Sequence, residues 1–89
     1  DARGNVNYIL NYFDELGLAV NTGVVDWNYT YRYFKGIIVH YLEMFEAYIE
    51  HRAQASSDSS LWMDARKLYE QVYERQKQEG HGIIRGKYW

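Results

Sequence analysis

Large side chains recur along this chain at steps of three and four, over three separate stretches. In the longest, Trp27, Tyr31, Phe34, Ile38, Tyr41, Phe45, Tyr48 and Arg52 succeed one another at such steps. On a helix of 3.6 residues per turn they draw one stripe along one face. Leu42 and Ile49 widen it on one side and Met44 on the other. The stripe keeps its phase across Gly36, a residue that costs about 1 kcal/mol inside a helix. One long helix over 26–53, bent at Gly36 if interrupted anywhere, is therefore expected, with Asp26 as its cap.

Upstream, Val6, Ile9, Leu10, Phe13 and Leu16 take one helical face, with Asn7, Asn11, Asp14 and Glu15 opposite. This pattern predicts a helix over 6–18 after a frayed lead-in, capped by Asn5. Gly17 reads either as its stop or as a small residue for close packing. Asn21-Thr22-Gly23 reads as a turn, with Val24 or Val25 plugging the core. Downstream, Gln54–Ser60 (QASSDSS) is a loop by composition, with Ser59 or Ser60 capping a third helix over 60–79. Leu61, Ala65, Leu68 and Val72 make its seam, widened by Trp62, Tyr69 and Tyr73.

The expected fold is all-α: a small antiparallel bundle of three principal helices in one domain, 1–79, with a flexible or docking tail, 80–89. The tail, from Gly80 through HGIIRGKYW, has no period, yet Ile83, Ile84, Tyr88 and Trp89 are apolar enough to dock somewhere.

Composition adds constraints. Eighty-nine residues make one small domain, burying a little over ~60% of the surface of the unfolded chain. No cysteine is present, so disulfides and thiolate metal sites are excluded. Ten Tyr, three Trp and three Phe give an aromatic content suited to half-buried positions at the edge of a small core. The net charge of −2 is uneven. Residues 1–58 hold eight acidic and four basic side chains, and residues 59–89 hold four and six. Neither half has the dense basic field of a dedicated nucleic-acid binder. No apolar run approaches the ~20 residues of a membrane span. The chain starts at Asp1, so processing, cropping or a longer parent with an anchor upstream all remain open.

Candidate chemistry is thin. His40 and Glu43 stand three residues apart, with Glu46 and Glu50 beyond, a spacing that di-iron bundles use in duplicate. The second copy is missing here, and a solvated polar face accounts for these residues. Acid–base work by Asp14 and Glu15 with His40 or His51 has nothing to fix its distances. No nucleophile elbow and no phosphate loop is present. The expectation is therefore no enzyme, no metal and no cofactor.

The oddity is aromatic. Tyr29 and Tyr33 lie away from the Trp27–Tyr31–Phe34 stripe, with Arg32 and Lys35 between and beside them. Tyr, Trp and Arg are enriched at protein interfaces and also serve to stack nucleobases. Tyr29, Arg32, Tyr33 and Lys35, with Tyr88 and Trp89 of the tail, form the candidate interaction surface. A helix–turn–helix DNA reader would need more outward polar and basic residues than Asn28, Arg32 and Lys35 supply.

The run Ile9–Arg52, followed by LWMDARKLYEQV (Leu61–Val72), resembles the C-terminal part of the uncharacterised bacterial DUF4760-type proteins. The matching positions are Phe13-Asp14-Glu15-Leu16-Gly17, Val20 and Gly23, Phe34-Lys35-Gly36-Ile37-Ile38, and Arg52. At Tyr41-Leu42-Glu43 the chain departs, with Leu42 where the family commonly has tryptophan. The resemblance implies a small helical protein, often with a hydrophobic segment ahead of the soluble part, and carries over no catalytic residues. Physically, Gly17 would permit a close helix crossing or a turn, and Arg52 would pair with Asp14 or Glu15 across the bundle.

The leading expectation is a cytoplasmic, non-catalytic interaction or structural module whose partner is protein, including a second copy of itself. Membrane association would come through a segment upstream of Asp1. A nucleic-acid-binding accessory protein is the alternative, and a metal-dependent enzyme through His40, Glu43 and Glu46 a weak third.

Overall fold

The computed structural model describes residues 2–80. The described residues are all-helical, with no strand among them. Four helices succeed one another: α1 (Ala2–Asn21), α2 (Trp27–Met44), α3 (Glu46–Ser56) and α4 (Met63–Gln78).

The count of four corrects the three expected, and the reason is local. The stretch 26–53 is divided at Phe45, where φ −100° and ψ 10° leave the helical region. Gly36 lies inside α2, which continues through it. The unbroken stripe thus located a continuous helix at the glycine but carried no sign of the break nine residues later. Phe45 remains hydrogen-bonded on both sides, its N–H to Tyr41 O at 3.0 Å and its carbonyl to Ile49 N at 2.9 Å. α3 follows α2 directly after this residue.

α1 also differs from expectation. It starts at Ala2, so Asn5 lies within the helix and is no cap. It runs past Gly17 to Asn21 and closes in a Schellman motif. There Val24 N–H reaches Ala19 O at 2.9 Å, Gly23 N–H reaches Val20 O at 3.1 Å, and Gly23 takes φ 81°. A left-handed residue is needed at that point, and glycine takes it without a Cβ penalty. Val25 is half-buried there, while Val24 is exposed. Asp26 caps α2 as expected, its carboxylate accepting Tyr29 N–H at 2.8 Å.

The side-chain contacts give the directions. Asn7–Tyr48 and Phe13–Tyr41 link α1 to the α2–α3 arm in opposite senses. Asn28–Arg75 and Glu43–Tyr69 do the same for α2 and α4. Asn11–Trp62, Asp14–Ala65 and Asn21–Gln71 run in step, so α1 and α4 are parallel.

The core is built on α4. Ala65, Leu68 and Val72 are completely buried, facing Leu10 and Phe13 of α1 and Tyr31, Ile38, Val39 and Leu42 of α2. α4 packs most closely on α1 and next on α2, whereas α1 and α2 touch each other sparingly. The stripe on α2 does pack inward: Tyr31 and Ile38 are buried, and Trp27, Phe34, Tyr41, Phe45 and Tyr48 are partly so. Met44 does not widen it, being exposed, and Arg52 is exposed as well.

Two features explain the closeness of α1 and α4. A Cβ placed on Gly17 would stand 2.3 Å from the carbonyl oxygen of Asp64, so glycine is what lets α1 cross there. Beside it, Asp14 accepts the backbone N–H of Ala65 at 3.0 Å. That amide belongs to the first turn of α4, whose donors have no partner within the helix. Asp14 therefore caps α4 from another helix. Ser59 and Ser60 do not cap it; the chain makes a further turn held by Asp58, which accepts Ser60 N–H at 2.9 Å and its hydroxyl at 2.6 Å. Trp62 then turns the chain into α4 with φ 53°, its indole N–H donating to Asn11 at 2.8 Å.

Candidate functional site

The outer face of α2 carries the residues that the sequence singles out. Tyr29 and Tyr33 are 55% and 68% exposed, with ring centroids 4.7 Å apart. Steps of four from Tyr33 to Ile37 and of seven to Met44 continue the same face. Ile37 is 37% and Met44 55% exposed. Sequence reasoning missed these two as surface residues. Ile37 stands beside the buried Ile38, and Met44 borders the core stripe, so composition alone does not separate them; phase does.

The cations near this face have different fates. Arg32 is exposed, and among the described residues it has no hydrogen-bond or ion-pair partner. Lys35 is half-buried, its Nζ 5.0 Å from the centroid of the Tyr31 ring. Asn28 accepts a hydrogen bond from Arg75 Nη1 at 2.9 Å. Of the three side chains weighed for groove reading, then, only Arg32 projects without an internal contact among the described residues. Tyr88 and Trp89 lie outside the described residues, as does the rest of the proposed docking tail, 81–89.

The polar candidates disperse. Glu43 turns toward α4 and accepts the Tyr69 hydroxyl at 2.8 Å. His40 sets its ring edge-on to Tyr41 at 5.1 Å. Among the described residues, no group of three or more His, Cys, Asp or Glu is placed to hold a metal ion. Asp14 is engaged with α4, and no ion pair joins Arg52 to it or to Glu15 among the described residues. The expected Arg52 pairing is thus corrected: Arg52 lies exposed on α3.

A concavity lies between the α2–α3 arm and α4, a cleft of about 470 Å³. Leu42, Ile49 and Tyr69 supply its apolar lining, and Glu46, Glu50, Glu70 and Arg66 its charged one. Arg66 donates from Nη2 to Ser59 O at 2.6 Å, while its buried Nε has no partner. Glu46 and Glu50, weighed above as ligands, border this cleft.

At the other end of the molecule the aromatic stripe is held by a polar clasp. The Arg75 guanidinium lies 4.0 Å from the Tyr31 ring centroid and 5.9 Å from that of Trp27. Glu79 accepts from Arg75 Nε at 3.3 Å and from the Tyr31 hydroxyl at 2.5 Å. Stacked guanidinium and ring together close the α2–α4 seam. No helix among the described residues is long and apolar enough to cross a membrane.

These features define a small helical domain with a packed α1–α4 core and an apolar outer face on α2. The chain belongs to the DUF4760 family, described as a domain of unknown function, whose match covers residues 1–72. That span takes in α1, α2 and α3 and ends within α4, at the buried Val72. No curated protein and no solved structure matches the chain.

Proposed function

We propose that this domain is a non-catalytic interaction module that binds protein through the outer face of α2. One observation carries the reading: Tyr29, Tyr33, Ile37 and Met44 expose large apolar surface along one line of a helix whose opposite side is in the core. Scattered exposed apolar residues are ordinary, but a continuous line of them marks a contact surface. Arg32 at its flank adds the residue type that, with tyrosine, dominates interface hot spots. In this reading the domain is the C-terminal, cytoplasmic part of a bacterial protein, held at a membrane by a segment upstream when such a segment is present.

The test is a photo-crosslinking amino acid at Tyr33 in cells making the parent protein, with Glu74 on the exposed side of α4 as control. A discrete protein adduct at position 33 and none at 74 is the expected result. Equal adducts at both positions, or none at 33, would sink the reading.

A further inference from the structure

We infer that the cleft between the α2–α3 arm and α4 is the seat of the chain's own C-terminal segment, residues 81–89, laid back along α4 with its cations on the cleft's glutamates. This face is distinct from the apolar line on α2, so the two readings fail independently.

The lining of the cleft is short of positive charge. Glu46, Glu50 and Glu70 border it, and among the described residues none of them has an ion pair or a hydrogen-bond partner. Glu46 and Glu50 stand four apart on α3, a spacing at which like charges oppose the helix. Arg66, the cation of the lining, does not answer them: its Nη2 is spent on the Ser59 carbonyl, and its Nε is buried. Between these charges Leu42, Ile49 and Tyr69 make an apolar floor. An occupant that fits is therefore cationic and carries large apolar side chains.

Residues 81–89 have that composition. HGIIRGKYW holds Arg85 and Lys87, no acidic side chain, and the apolar Ile83, Ile84, Tyr88 and Trp89. The reach agrees as well. α4 rises about 1.5 Å per residue, so the level of Glu70 lies about 15 Å back from Gly80. Glu43 and Tyr69 meet across the α2–α4 seam. Three residues further along the arm, Glu46 lies near the level of Arg66, about 21 Å back. An extended chain advances about 3.3 Å per residue. Arg85, five residues beyond Gly80, then comes to about 16 Å, at Glu70, and Lys87, seven beyond, to about 23 Å, at Glu46. Tyr88 and Trp89 follow at the apolar floor. Gly80 takes φ 72°, the left-handed conformation in which a chain leaves a helix end and can reverse. Tethering makes a modest fit sufficient, since a short linker sets an effective concentration on the order of mM.

Zero-length carbodiimide crosslinking of the full chain, read by peptide mass spectrometry, gives the test. Lys87 should join Glu46, Glu50 or Glu70, at a yield at least about tenfold above that to Glu15 and Glu74, exposed glutamates elsewhere on α1 and α4. Mixing isotope-labelled with unlabelled chain separates links within one copy from links between copies, and links within one copy are expected. Arg85→Glu and Trp89→Ser should each lower the Lys87 yield at least about threefold, by removing a cation and the apolar anchor. Both positions lie outside α1–α4, and circular dichroism melting checks that the bundle is intact in each variant. A Lys87 that couples equally to Glu15 and Glu74, or to no glutamate, overturns the seat. Links found only between copies overturn the placement of the segment on its own chain. A yield that neither variant moves overturns the chemistry of recognition.

Discussion

α1 and α3 are the two helices that flank the α2–α4 pair, and they are attached in different ways. α1 is locked to α4 by a glycine crossing, by a carboxylate on the Ala65 amide, and by the Asn11–Trp62 and Asn21–Gln71 bonds. α3 contributes Ile49 to the buried core and touches α2 but not α4 to any comparable extent. Its apolar residues are not gathered on one face, and between it and α4 lies a cleft. Length does not explain this, since even a short helix with an apolar seam can dock. The difference lies in what each presents. α1 offers polar side chains matched to specific backbone and indole donors, so its position is specified as well as buried. α3 has Ile49 in the core and Tyr48 beside it, its hydroxyl on Asn7, but among the described residues no close crossing and no contact that caps another helix.

Four measurements sharpen the contrast. Leu68→Ala, at the centre of the α4 seam, should cost about 3 kcal/mol, whereas Ile49→Ala should cost less than about half of that. The limit arises because α3 can undock without opening the rest. Urea titration gives both numbers, and amide exchange should show α3 exchanging by local opening while α4 exchanges with global unfolding. Equal costs would erase the distinction.

Gly17→Ala should cost about 2 kcal/mol and lower the Tm by roughly 8–16 °C, because the new methyl meets a backbone carbonyl that cannot swing aside. An unchanged Tm would mean that α1 and α4 slide freely. Gln76 supplies a gain in place of a loss. Its side chain is 1% exposed, and neither the amide oxygen nor the nitrogen has a hydrogen-bond partner. Gln76→Met keeps the volume and removes both, so stability should rise by about 1 kcal/mol.

The smallest effect lies in the connector. The Ser60 hydroxyl, and after it the Ser60 amide, hold the Asp58 carboxyl below its ordinary 3.8. A carboxylate lowered in the folded state stabilises the fold above pH 3.8, and that contribution is lost as pH falls through the folded value. Asp58→Asn should therefore lower the Tm slightly near neutral pH, with the difference vanishing in acid. A difference that grows in acid would reverse the sign and refute it.

Much of this architecture was legible in the residues. The phase of the stripe placed α2 and its inward face, Asp26 announced its cap, and Ala65, Leu68 and Val72 announced the seam of α4. The close crossing at Gly17 was one of two readings open from the sequence, and the packing chose it. What escaped notice depends on residues distant in the chain. Asp14 as a cap for α4 has no local signature, because the carboxylate and the amide are joined only by the fold. Trp62 at positive φ is supported by an asparagine on α1. Gln76, polar and so left out of the seam, is the next inward step after Val72. The break at Phe45 involves neither proline nor glycine and so left no mark. On the surface, Tyr29 and Tyr33 were legible because they fall out of phase with the core, while Ile37 and Met44 hid beside it.

The placement of the Asp14–Ala65 bond also bears on how the chain comes off the ribosome. Its two partners are 51 residues apart, as are Asn11 and Trp62. At bacterial or eukaryotic synthesis rates, α1 waits roughly 3–10 s before the helix that seats it has been made. During that interval its apolar face is covered at best by α2 and α3, which it grips far less than α4. Slowing or pausing translation between α3 and α4 would lengthen this exposed period without altering a single residue.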